Sequence, residues 1–145
     1  MRRSNNRCFE GENRILDTYD ELLLQARSFL EQENFRMAIL EAVIGLEIVV
    51  SSIVGKIASE EGISAGDTEN FLLRVGPSDN LKIILRLLVP ESLPNDEVIS
   101  GCKSAITIRN SIVHKERFTV SKKEAEDAIT KIEIFISKVT PLIVM

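Results

Sequence analysis

The stretch "FRMAILEAVIGLEIVVSSIVGKIASEEG", residues 35–62, most constrains how this chain can fold. Read at about 100° per residue, it places Ile39, Ala42, Val43, Leu46, Val49, Val50, Ile53 and Ile57 on one face of a helix. Leu40, Ile44 and Ile48 form a second apolar row at spacing four. A helix that is apolar around most of its circumference must be buried around most of it. In a chain of 145 residues it is therefore the centre of a bundle, or it also meets a second subunit.

The rest of the chain supplies helices to surround it. Residues 1–13 read as a polar N-terminal arm, flexible by composition. "RILDTYDELLLQARSFLEQEN" then sets Ile15, Leu16, Tyr19, Leu22, Leu23, Ala26, Phe29 and Leu30 at spacings of three and four, and Asn34 caps the long helix that follows. "GDTENFLLRVG" offers one or two helical turns, and "PSDNLKIILRLLVP" a short helix between prolines, with Ser78 or Asp79 as its cap. "PNDEVISGCKSAITIRNSIVH" opens on Asn95 as cap, with two acids in its first turn to suit the helix dipole. In the last helix Ser121 and Glu124 fit a capping box. Ala125, Ala128, Ile129, Ile132, Phe135, Ile136 and Val139 share one of its faces, and Pro141 marks its end. No stretch alternates with period two for long enough to suggest a sheet. The pattern predicts an all-α, up-and-down helical bundle of four main helices plus a short extra one, a single domain over 14–145.

Aromatic residues make up only 5% and Trp is absent, so the core must be built from Leu, Ile and Val. The basic N-terminus is followed by no apolar run of signal-peptide length, and stretches such as "IVVSSIV" read as too short to span a bilayer. The expectation is a cytoplasmic protein with no membrane partner. Cys8 and Cys102 form no CxxC pair, which predicts two reduced thiols, one in the core and one in the arm. His, Cys and Asp do not cluster, so neither a metal nor a cofactor is expected.

Charge is unevenly spread. Between Gly101 and Lys123 stand Lys103, Arg109, Lys115, Arg117, Lys122 and Lys123 against the single acid Glu116, a net +5. The whole chain carries -4, so the remainder carries -9. A solvated charged face accounts for such a run as readily as a ligand does.

Within that segment Arg109 breaks an apolar arc. Val98, Cys102, Ala105, Ile106, Ile112 and Val113 fall together on the helix that starts at Asn95, and Arg109 falls in their midst. A guanidinium cannot shed its proton, so one placed here must snorkel to water, pair with an acid such as Glu47 of the long helix, or serve an anionic ligand. Five residues on stands His114, the only histidine. On a continuous helix five residues turn about 140°, so the two side chains converge only if the helix ends or loosens before His114. Asn110, Ser111, Ile112 and Val113 are poor helix formers and permit that.

"RNSIVH", residues 109–114, resembles the Arg-polar-three-residues-His motif of the HEPN (higher eukaryotes and prokaryotes nucleotide-binding) domain family. "FRMAILEAVIGLEIVV" and "SKKEAEDAITKIEIFISKV" resemble its second and closing helices. The resemblance spans roughly residues 15 to 140. It implies a helical bundle that dimerises and, in many members, a metal-independent endoribonuclease of toxin-antitoxin, phage-defence or RNA-processing systems. Partners would then be a second copy, an RNA substrate, and an antitoxin or nucleotidyltransferase-like protein. Arg109 would hold the scissile phosphate, His114 would act as general acid or base, and Asn110 would orient them. Glu47 would match an acid of the second helix. Lys103, Lys115, Arg117, Lys122 and Lys123 would supply phosphate contacts. Other members of the family are catalytically silent and bind a protein or nucleotide partner, and that is the alternative reading.

Overall fold

A computed structural model describes residues 18–76, 78–82, 94–117 and 119–144. They form helices α1 (18–31), α2 (Phe35–Glu60), α3 (Ala65–Arg74), α4 (78–82), α5 (Asp96–Val113), α6 (Lys122–Val139) and α7 (Pro141–Val144), with no strand among them. The protein is an all-α helical bundle. The arm 1–13, with Cys8, Ile15, Leu16 and most of the helix expected between the two prolines, lies outside the described residues.

The helix boundaries follow local chemistry. Asn34 Oδ1 accepts from Met37 N, and Asn95 Oδ1 accepts from Val98 N at 2.9 Å, so each satisfies an amide that the helix itself leaves unpaired. Ser121 and Glu124 form the full capping box: Glu124 N donates to Ser121 Oγ and Ser121 N to Glu124 Oε1, both at 3.1 Å. Two expectations are corrected here. Ser64 caps α3, which runs for ten residues rather than one or two turns. Ser78 and Asp79 lie inside α4 and do not precede it.

The long helix is the centre of the bundle. α2 contacts α3, α5, α6 and α7, and α1 meets it where Leu22 and the Tyr19 carbonyl approach Gly45. Its first apolar row is buried as far as Ile53, and Ile57 is half-buried against the core. In the second row Leu40 and Ile48 are half-buried and Ile44 stays 41% exposed. α2 is also long and apolar enough to cross a membrane by length and composition, which corrects the expectation that no stretch reaches that length. Uninterrupted runs are short, but the average over the helix absorbs its few polar residues and gives a mean hydropathy of 2.2. Over that window 56% of the helix is buried inside the bundle.

α5 and α6 pack against each other and against α2. The seven expected core residues of α6 are all buried, Phe135 completely. α5 buries Val98, Cys102, Ala105, Ile106 and Ile112. Val113 is 56% exposed, contrary to expectation, because it is the last helical residue and packing has run out although its angle matches the arc. Gly101 lies against α6: a Cβ there would stand 2.2 Å from Lys131 Cγ and 2.7 Å from its Cβ. The Lys131 side chain crosses this gap and donates from Nζ to Glu97 Oε1 at 2.9 Å. Cys102 is buried beside them, and burial pushes its thiol up to about 12.

Candidate functional site

Arg109 meets Glu47 across the α5–α2 interface, Nη2 against Oε1. The two side chains are 23% and 27% exposed. Arg109 Nη1 donates to Asn110 Oδ1 at 3.2 Å. The buried Oε1 of Glu47 has no other described polar partner. Arg109 thus stands over the middle of α2, between the buried Ile106 and Ile112, and is neutralised there. A guanidinium has five N–H donors. These two contacts engage one donor each, and the other three have no described protein partner.

His114 caps α5 and is exposed, with no described hydrogen bond or ion pair to its ring. The helix does not loosen before it. His114 N donates to Asn110 O at 2.9 Å, and the backbone stays helical through Val113. The loosening that the sequence permits does not occur, and His114 stands at the helix end: weak helix propensity at residues 110–113 yields to Ile112, whose burial holds the last turn on the core. Arg109 and His114 therefore sit on one helix about 140° apart in direction and about 7.5 Å apart along its axis.

The chain reverses just after His114. Lys115 N donates to Ile112 O and Glu116 N to Ser111 O, the paired bonds of a Schellman turn. Its left-handed position, φ +61°, is filled by Lys115 and not by the usual glycine. α2 ends in the same motif with Gly62 in that position, at φ +78°. Glu33 fills the same left-handed position at the end of α1, at φ +60°.

The basic residues divide. Arg117 Nη2 pairs with Glu124 Oε2 and Lys122 with Glu126 at 3.8 Å, so these two are engaged within the fold. Lys103, Lys115 and Lys123 have no ion-pair partner among the described residues, and only Lys103 is half-buried. The Ser121 amide and then Arg117 hold the Glu124 carboxyl below its ordinary value of 4.5. No group of three or more His, Cys, Asp or Glu side chains suited to a metal comes together among the described residues.

The structure adds a residue that sequence reasoning missed. A small open cavity of about 140 Å³ is lined by Glu47, Val50, Ser51, Leu72, Val75 and Asn80. It lies on the Glu47 side of the Arg109–Glu47 pair, where α2, α3 and α4 meet. Asn80 is 4% exposed. Its Nδ2 donates to Val75 O at 3.1 Å, while its Oδ1 is buried without a described partner. Nothing in "PSDNLKII" separates Asn80 from an ordinary solvent-facing asparagine, because its burial depends on how α4 docks.

No family model, no curated protein and no solved structure matches this chain.

Proposed function

We propose that this protein is a metal-independent endoribonuclease of HEPN type. The observation that carries the reading is Arg109, which Glu47 and Asn110 hold in place with three donors that have no described protein partner, on the helix whose cap presents the only imidazole. In the reaction, His114 removes the proton of a ribose 2′-hydroxyl. The 2′-oxygen attacks the adjacent phosphorus, the P–O5′ bond breaks, the leaving 5′-oxygen takes a proton from water, and a 2′,3′-cyclic phosphate and a 5′-hydroxyl remain. Arg109 binds the phosphoryl oxygens and stabilises the charge that grows on them. Histidine suits proton transfer because its side chain ordinarily titrates near neutral pH. Lys103, Lys115 and Lys123 are the cations left to meet flanking phosphates.

One chain does not aim Arg109 and His114 at a common point, so the reading requires a homodimer. A two-fold interface through Leu40, Ile44 and Ile48 would bury the remaining apolar row and could bring the Arg-His motifs of two copies into one cleft. Such an enzyme would work in the cytoplasm on RNA, as a toxin, a phage-defence factor or an RNA-processing component. An antitoxin or nucleotidyltransferase-like protein would be its natural partner.

The test is cleavage of a mixed RNA substrate in excess EDTA by the wild type and by His114→Ala. His114 is exposed and unpaired, so its loss leaves the melt unchanged while the rate falls by about 10²–10⁴-fold. Cleavage that EDTA stops, or that His114→Ala retains, overturns the reading. Light scattering that gives a monomer mass at micromolar protein overturns the shared cleft.

The Arg109–Glu47 pair itself favours a second reading, a catalytically silent module that binds a protein or nucleotide partner. A neutralised guanidinium on an unbroken helix is also what a structural ion pair looks like. Intact RNA after exposure to a demonstrated dimer selects this reading.

A further inference from the structure

α2 and α3 leave an apolar groove between them. Val54, Ile57 and Ala58 of the last turns of α2 form one wall, and Phe71 of α3 and Ile63 of the connecting turn form the other. Its volume is about 390 Å³. Ile57 lies about 15 Å along α2 from Glu47, so the groove is separate from the Arg109–Glu47 pair.

The groove leaves α3 without a core. None of the 10 residues of α3 is buried, and among the described elements its main contact is α2. Phe71 is 40% exposed and Ile63 49%. Ile63 follows the positive-φ Gly62 and donates its amide to Ala58 O, the position from which an apolar residue ordinarily closes a Schellman turn. Half of its side chain stays in water all the same. Exposed apolar surface that is contiguous and rimmed by polar residues marks an interaction site.

The rim sets the sign of the partner. Glu61 and Asp67 line the groove, and Glu60 and Glu69 stand exposed beside them. None of the four forms an ion pair among the described residues. No Lys or Arg occurs from Ile57 to Phe71, so this stretch carries -4. Two of these acids sit where a helix disfavours them, because partial negative charge gathers at a helix C-terminus. α3 and α6 answer that charge with Arg74 and Lys138 in their last turns. α2 has no base in its last turn and ends on Glu60, with Glu61 as its cap. The free protein therefore gathers negative charge around an apolar slot. Such a slot repels RNA and anionic lipid, and it suits a cation that carries apolar surface of its own.

We propose that this groove docks a cationic amphipathic helix of a partner protein. Its apolar side chains, three and four residues apart, enter between α2 and α3, and its Lys and Arg meet Glu60, Glu61, Asp67 and Glu69. The incoming helix supplies the core that α3 lacks. This docking holds whether or not the protein cleaves RNA, since the groove shares no lining residue with the Arg109–Glu47 pair.

The experiment is a fluorescence titration of the full chain with synthetic helical peptides. The chain has no Trp, so one Trp on a peptide's apolar face reports where that face goes. The probe is about fourteen residues long, some four turns, with Leu and the Trp on one face and Lys on the other. One control peptide replaces every Lys by Glu and keeps the apolar face. A second keeps the composition and scrambles the order, so that no face forms. The Lys peptide is expected to shift its emission to the blue and to bind at least about tenfold more tightly than either control, since like charges repel the first and no apolar row holds the second. Glu61→Lys/Asp67→Lys should weaken the Lys peptide by about tenfold or more. The same change of charge made as Glu21→Lys/Glu31→Lys, at exposed positions of α1, should leave its binding nearly unchanged. Ala58→Phe, which sets a ring in the groove, should abolish the blue shift. A control peptide that binds as well, a loss as large in the α1 variant as in the rim variant, or a full blue shift with folded Ala58→Phe would each overturn the proposal. So would an affinity that falls as the protein is concentrated and associates by light scattering, because a second copy would then be the occupant. The peptide series and the rim variant decide the matter even if Ala58→Phe does not fold.

Discussion

Arg109 of α5 and Glu47 of α2 neutralise each other across a helix interface, each about a quarter exposed. The pair explains how a permanent cation sits inside an apolar arc. It also sets what replacement of the arginine will do. Arg109→Met strands the Glu47 carboxylate, whose Oε1 has no other described partner. Complete burial would make that loss about 3–5 kcal/mol, and partial exposure reduces it to about 1–2 kcal/mol. Denaturant melts should show this fall for Arg109→Met and a recovery in the double variant Arg109→Met/Glu47→Leu, where no charge is stranded. An unchanged midpoint in the single variant would mean that the pair contributes nothing and that a ligand alone explains the arginine.

Gly101 sets helix propensity against packing. In an open helix, alanine for glycine gains about 1 kcal/mol. Here the new Cβ would stand 2.7 Å from Lys131 Cβ, an atom fixed to its backbone that cannot swing away. The expected outcome is a lower melting temperature for Gly101→Ala, with α5 and α6 pushed apart. Lys131→Ala removes Cγ but not Cβ, so in that background it relieves the clash only in part. A melting temperature that rises in Gly101→Ala would show that the two helices slide apart at little cost.

Glu33 and Lys115 carry positive φ values of 60° and 61° at the ends of α1 and α5. Left-handed backbone costs a residue with a Cβ about 1 kcal/mol or more, and glycine escapes it. Glu33→Gly and Lys115→Gly should each raise stability by about 1 kcal/mol, measured by urea unfolding. If Lys115→Gly stabilises the fold and also weakens RNA binding, function and not folding keeps lysine in the turn.

Stability should depend on acid through the α6 cap. The Ser121 amide, and after it Arg117, hold the Glu124 carboxyl below its ordinary value of 4.5. A depressed carboxylate stabilises the fold above the ordinary value, and that contribution is lost as pH falls through the lower, folded-state value. Ser121→Ala should cost about 1 kcal/mol at neutral pH. Glu124→Gln should cost stability at neutral pH and progressively less below pH 4.5, so that its melting curve converges on that of the wild type in acid. Curves that stay parallel down to pH 3 would show that the carboxylate is not part of the cap.

Sequence determined the parts of this protein that depend on neighbours along the chain. Asn34, Asn95 and the Ser121–Glu124 box begin their helices because each side chain reaches an amide only three residues away. The burial of α6 follows from residues three and four apart on one face, a spacing that no later packing alters. Sequence also picked out Arg109, since a charge in an apolar arc is visible without coordinates. Tertiary structure decided the rest. Which acid meets Arg109 depends on the register of α5 against α2. The straight run of α5 to His114 is set by the burial of Ile112, which outweighs the weak propensity of its neighbours. The exposure of Val113 follows from where packing stops. Asn80 and Gly101 acquire their meaning only from the helices that close over them. Contacts between residues far apart in the chain carry no local signature, because a helix face records that it will be buried but not against what.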